Sequence, residues 1–145
     1  MQLPDVNVLI YAHREDSPEH ERYAAWLRKL VNGQEPFALS SVTLGGFLRI
    51  VTHPKIFAPP TPIDDALAFC DQLLIQPKAV LIQPGPQHFQ ILADLIRQTG
   101  IQGAMVTDAY IAALAIEHGC EVATTDSDFS RFGDLVRSRH PLAAT

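Results

Sequence analysis

Three acids, Asp5, Asp108 and Asp126, lie far apart in the chain, yet each falls where a strand should end or a helix should begin. Carboxylates gathered within about 4 to 6 Å raise one another's pKa unless a cation compensates them. A hard divalent ion does so. Mg2+ or Mn2+ takes oxygen ligands and is typically held by a few carboxylates together with substrate phosphate, which suits a site built from aspartates without His or Cys. Such an ion acidifies water and neutralises charge on a phosphate, so hydrolysis of a phosphodiester is the chemistry expected. Each acid also has a purely structural reading. Asp108 favours the dipole at a helix start, and Asp126 and Asp128 in Thr124-Thr125-Asp126-Ser127-Asp128 are able to form Asx-type turns. Asp5, followed by the apolar residues Val6, Val8, Leu9 and Ile10, is expected to be partly buried and to need a partner.

Elements that would position these acids alternate short β-like runs with longer helical ones. Gln2 to Asp5 reads as a first strand limited by Pro4, which has no N–H to donate, and a helix begins near Asn7. Ser17-Pro18 reads as an N-cap with proline at the first helical position, opening a helix whose apolar face carries Tyr23, Trp26, Leu27, Leu30 and Val31. That helix stops near Asn32-Gly33. Phe37 to Leu39 is a strand, and Ser40 or Ser41 caps a helix that Pro54 closes. After a proline-rich loop, Ile63 to Ile75 is helical, Ala79 to Ile82 is a strand, and Gln87 to Thr99 is a helix ending at Gly100. Thr107 is expected to cap a helix from Asp108 to His118, and Glu121 to Thr125 to be a strand delivering Asp126. The order gives a parallel sheet with helices on both faces, whose ligands bind outside the carboxyl ends of the strands where the connections reverse. Asp5 and Asp126 should meet there.

The chain has 145 residues, 47% of them hydrophobic, which suits one domain over residues 1–145 with a substantial core. No apolar run reaches the roughly 18 residues of a membrane span and no signal peptide is evident, so a cytoplasmic location without a membrane is expected. Cys70 and Cys120 have no ligand-spaced partner and read as buried thiols in a reducing compartment. With 11 Lys and Arg against 16 Asp and Glu, the net charge of −5 argues against coating nucleic acid by bulk electrostatics.

Four strings taken together resemble a known family: DVNVLIYA at Asp5 to Ala12, TLGGFLRIVTHPKIF at Thr43 to Phe57, TDAYIAALAIEHG at Thr107 to Gly119 and ATTDSDF at Ala123 to Phe129. They are similar to PIN-domain proteins, specifically VapC-type toxins of bacterial toxin–antitoxin pairs. The resemblance covers essentially the whole chain. It implies a PIN-like three-layer α/β/α sandwich with a central parallel sheet, Mg2+- or Mn2+-dependent endoribonuclease activity on structured RNA such as tRNA or rRNA, a homodimer, and a cognate antitoxin that blocks the site.

Carried onto this chain, the resemblance makes Asp5, Asp108 and Asp126 the catalytic acids and adds Asp128 to the metal ligands. Asn7 would support the first acid by hydrogen bonding, with Thr125 a further supporting residue. The chain departs from the family at its second acid, a glutamate elsewhere, where Gly46 stands here. A one-metal site, Asp128 as replacement, or a fold kept without efficient cleavage are the three consequences. Two glycines in a helix cost about 1 kcal/mol each relative to alanine, so Gly45 and Gly46 imply close packing or room for a ligand.

For RNA binding the candidates are Arg14, Arg49, His53, Lys55 and Arg131, with Arg49 and His53 spaced i, i+4 on one predicted helix. A solvated helix edge is the competing reading. Apolar surface around Tyr11, Tyr23, Trp26 and Leu30 suggests a dimer interface or a groove for an antitoxin helix. Two function classes follow: a metal-dependent ribonuclease toxin, and a catalytically silent PIN-fold module that binds RNA or a partner. Phosphoryl transfer through an aspartyl-phosphate is disfavoured, because Asp5 lacks the paired acid and lysine such sites use.

Overall fold

The structure, a computed structural model, describes residues 1–143. Its centre is a five-stranded sheet in the order β3-β2-β1-β4-β5, every pairing parallel. The strands are β1 Gln2–Pro4, β2 Phe37–Leu39, β3 Ala79–Leu81, β4 Glu121–Ala123 and β5 Ser138–Arg139. The helices are α1 Val6–His13, α2 His20–Asn32, α3 Ser41–Val51, α4 Ile63–Leu74, α5 His88–Thr99 and α6 Met105–His118, and a 3-10 segment runs Ser127–Leu135.

Side-chain alternation along β2 divides the core. Phe37 and Leu39 join Leu9, Ile10, Tyr23, Leu27, Phe47, Val51 and Leu73 from α1 to α4 on one face. Ala38 points to the other, where Leu3 and Val122 meet Leu95, Ile111 and Leu114 from α5 and α6 together with Phe129 and Phe132. The result is the expected three-layer α/β/α arrangement. Cys70 and Cys120 are both free and buried, and burial pushes both thiols up.

Pro4 acts on one side of its strand only. Glu121 N–H donates to the Met1 carbonyl and Asp5 N–H to the Ala123 carbonyl, so odd positions of β1 face β4 and the nitrogen of Pro4 faces β2. The ladder accordingly pairs three residues with β4, whereas with β2 it pairs only Gln2 with Phe37.

Several boundaries differ from the sequence reading. β1 stops at Pro4, and Asp5 is the N-cap of α1, which starts at Val6. Pro18 sits in a turn rather than inside α2. Glu19, with φ +57°, precedes the first helical residue His20, and the Ser17 carbonyl accepts from His20 N–H. Thr107 is not a cap either. Gly103, with φ +66°, makes the turn, and the N–H groups of Val106 and Thr107 bond back to the carbonyls of Gly103 and Ala104, so α6 begins at Met105. Asp108 thus lies within its first turn. β4 ends at Ala123, two residues early, because the Thr124 side chain turns to Asp5 and Asp126. β5 and the 3-10 segment carry no apolar alternation and escape a periodicity reading.

Candidate functional site

The chain leaves β1 toward β2 and β3 on one side and later returns to place β4 and β5 on the other, so the connections reverse between β1 and β4. Crevices form at the carboxyl ends of strands at such a point. Asp5 leaves β1 there and Thr124 to Asp126 leave β4 beside it. Asp108 reaches the same place from the start of α6.

Carboxylate oxygens of Asp108, Asp126 and Asp128 all lie within 4.8 Å of one another. Asp5 stands behind them, 5% exposed. Its Oδ1 accepts from Val6 N–H at 2.8 Å and its Oδ2 from the Thr124 hydroxyl at 2.8 Å. Thr124 Oγ1 in turn accepts Asp126 N–H at 3.0 Å, and Asp126 Oδ1 accepts Asp128 N–H at 2.8 Å. One hydroxyl therefore joins the two strand ends, and an Asx turn sets Asp128 alongside.

The electrostatics follow from this crowding. Burial pushes Asp5 up, the Thr124 and Val6 hydrogen bonds oppose it, and Asp126 adds repulsion. Asp108 is raised to about 6, first by burial and then by the charges of Asp126, Asp5 and Asp128. Uncompensated negative charge on an all-oxygen donor set fits a hard divalent cation, with Asp108, Asp126 and Asp128 as the residues that would hold it and Asp5 behind them.

Other expected residues fall elsewhere. The partner of Asp5 is Thr124, not Thr125, and Asn7, half-buried on α1, makes no side-chain hydrogen bond to it among the described residues. The repeated threonine before Asp126 was the only sequence signal for Thr124. Arg14 and Arg49 lie near the far ends of α1 and α3, about 12 Å along helices that start at the acid end of the sheet. The Arg14 guanidinium is occupied: it pairs with Asp16, donates to the Pro59 carbonyl and Thr61 Oγ1, and sits 4.3 Å from the Phe57 ring centroid. It ties down the proline-rich loop. Arg49 is exposed, but α3 ends at Val51, so His53 lies in the turn beyond, its Nδ1 accepting Lys55 N–H, and the two share no helix face.

Gly46 is closely packed. A Cβ built there would come 3.0 Å from Val6 Cγ2, whereas one on Gly45 would meet nothing within 4 Å. The position that the resemblance assigns to a second acid is thus covered by the residue next to Asp5.

This fold is a three-layer α/β/α domain with acids at its topological switch, and the chain belongs to the PIN domain family, whose model matches residues 3–135. The VapC-type assignment drawn from the motifs holds. Ribonuclease VapC25 of Mycobacterium tuberculosis is 37% identical over 142 residues, covering 98% of this chain and 100% of that relative. VapC ribonuclease Mb2897 of Mycobacterium bovis is 41% identical over 142 residues, covering 98% and 96%. Among solved structures, VapBC2 from Rickettsia felis bound to a promoter DNA fragment superposes with a TM-score of 0.69 at 19% identity, covering 95% of this chain and 96% of that one. FitAcB from Neisseria gonorrhoeae gives 0.66 at 24%, covering 97% and 98%. At these identities the two structures bear on the fold alone.

Proposed function

We propose that the chain is a single PIN domain acting as a divalent-metal-dependent endoribonuclease, the toxin of a toxin–antitoxin pair, on structured RNA such as tRNA or rRNA. The observation that carries this is the convergence of Asp108, Asp126 and Asp128 beside buried Asp5, in a chain whose relatives are named ribonucleases. When bound, Mg2+ or Mn2+ supplies charge neutralisation at the phosphate and acidifies water. The chain's own part is to hold the geometry. Thr124 fixes Asp5 and the backbone of Asp126, the Asx turn fixes Asp128, and α6 fixes Asp108, so the carboxylates need little reorganisation when a cation and phosphate arrive.

A cytoplasmic location fits an RNA substrate, and among the described residues no helix is long and apolar enough to cross a membrane. Two surfaces support the partners. A groove of about 350 Å3 between α2 and α4, with Leu27, Val31, Phe69 and Leu73 inside and Arg28 and Gln72 at its rim, suits an antitoxin helix. Exposed Ile63, Leu67 and Leu74 on α4 and Ile75 at its end, with Val80 and Leu81 on edge strand β3, suit a homodimer contact.

A second reading, a silent module that binds RNA or its partner without cutting, is favoured by Val6 covering Gly46. Purified chain, free of antitoxin, separates the two. Products from total tRNA and rRNA that need Mg2+ or Mn2+ and vanish with EDTA and in Asp5→Asn support the nuclease, while folded protein that binds RNA without cutting it supports the module.

A further inference from the structure

At the carboxyl ends of β4 and β5 a cleft of about 280 Å3 adjoins the acids, and Asp126 lines both. Thr125, Ser127 and Ser130 from the exit of β4, and Ser138 and His140 from β5 and its end, set polar groups into walls that are otherwise largely apolar. Among the described residues the four hydroxyls of Thr125, Ser127, Ser130 and Ser138 have no side-chain hydrogen-bond partner, and all but Thr125 are exposed residues. His140 Nδ1 accepts Leu142 N–H at 3.1 Å, so the ring's proton sits on Nε2, a donor in either charge state. Arg139 adds positive charge at the edge, although its Nε lies 3.5 Å from Glu121 Oε1. Phe129 in the wall is 1% exposed and offers no face for a base to stack on, which leaves the exposed His140 ring as the aromatic face at the cleft.

These features select a ligand class. Hydroxyls that both donate and accept, beside an N–H donor, suit the hydroxyl and phosphate oxygens of a sugar–phosphate unit, and stacking on one ring tolerates any base. We propose that this cleft holds the ribose and phosphate of the nucleotide next to the scissile phosphodiester, reading the 2′-hydroxyl and not the base. The inference rests on the ribonuclease reading of the acids. It makes Ser130, Ser138 and His140 determinants of RNA over DNA at one position, since the 2′-hydroxyl is what distinguishes the two sugars.

The test uses one RNA oligonucleotide that the full chain cleaves, and a series in which each nucleotide flanking the cut is replaced singly by its 2′-deoxy form. For wild type, one flanking position should raise KM roughly three- to ten-fold when deoxy, the effect of one hydrogen bond, with kcat little changed. Ser138→Ala, and separately His140→Ala, should raise KM for all-RNA substrate and flatten that sensitivity, while His140→Gln, which keeps a donor, should restore part of it. Base changes at the same position should have little effect. Cleavage by wild type with no sensitive flanking position, or variants with unaltered KM and deoxy profile, would overturn the cleft assignment and leave the nuclease reading standing. Absence of cleavage of any RNA by folded wild type would overturn both.

Discussion

The Thr124 hydroxyl donates to Asp5 Oδ2 at 2.8 Å across 119 residues of chain, and the same oxygen accepts Asp126 N–H at 3.0 Å. A single side chain thus locks the ends of the two central strands together and presents Asp126 to the cluster.

Removing that hydroxyl leaves a carboxylate oxygen in a nearly closed site without its partner. Thr124→Val should lower unfolding stability by about 1–3 kcal/mol, the range for an unsatisfied buried polar group, and raise the pKa of Asp5 further. Thr124→Ser should keep most of the stability, and Thr125→Val should cost little. Urea unfolding of the three variants measures this; equal losses at Thr124 and Thr125 would refute the assigned role.

Gly45 and Gly46 should respond in opposite ways. Gly45→Ala places a methyl group in open space on a helix and should gain about 1 kcal/mol. Gly46→Ala brings Cβ within 3.0 Å of Val6 Cγ2, and overpacking of about 1–3 kcal/mol should cancel or exceed that gain. Combining it with Val6→Ala should recover the difference. Thermal melts of these three variants, with Val6→Ala alone as the fourth, decide it. On the same ground, Gly46→Glu should fail to strengthen metal binding unless Val6 is also cut back.

The sheet, its parallel sense and the placing of Asp5, Asp108 and Asp126 at one end were legible because apolar runs and caps mark elements locally. What stayed hidden depends on the third dimension. Thr124 and Thr125 are identical in sequence, and only the register of β4 beside β1 decides which faces Asp5. Thr107 looks like a cap, yet the left-handed turn at Gly103 starts α6 earlier. Arg14 carries the charge of a phosphate binder, but the proline loop folds over it and takes its donors. β5 consists of two exposed polar residues and leaves no pattern to find.

Asp108 gives the protein a pH signature. Its folded-state pKa, raised to about 6, lies above the ordinary value of 3.8, so the native protein holds the proton more tightly than the unfolded chain does. Stability from this group is therefore present at low pH and is lost as pH rises through about 6. Without metal, Asp108→Asn should melt within error of wild type near pH 4 and roughly a few degrees higher above pH 7. Added Mn2+ at pH 8 should raise wild type more than the variant. A melting difference that does not grow between pH 4 and 7 would contradict the crowding of the carboxylates.

Arg14 should matter for folding and not for catalysis. Arg14→Ala removes the ion pair with Asp16, two hydrogen bonds to the Pro59–Thr61 stretch and the contact over Phe57, and should destabilise by about 1.5–3 kcal/mol. Cleavage per folded molecule at low temperature should be unchanged within about two-fold. A large rise in KM with intact stability would restore Arg14 as a substrate contact.

The clustered acids should act as a metal-dependent ribonuclease site without the family's second acid. The most direct measurement is single-turnover cleavage of total tRNA by antitoxin-free protein in Mn2+, in Mg2+ and in EDTA, for wild type and Asp126→Asn with matched circular dichroism spectra. Cleavage in either metal, lost in EDTA and reduced at least about 100-fold in the variant, is the expected result. Cleavage that persists in EDTA, or that Asp126→Asn retains in full, would contradict it.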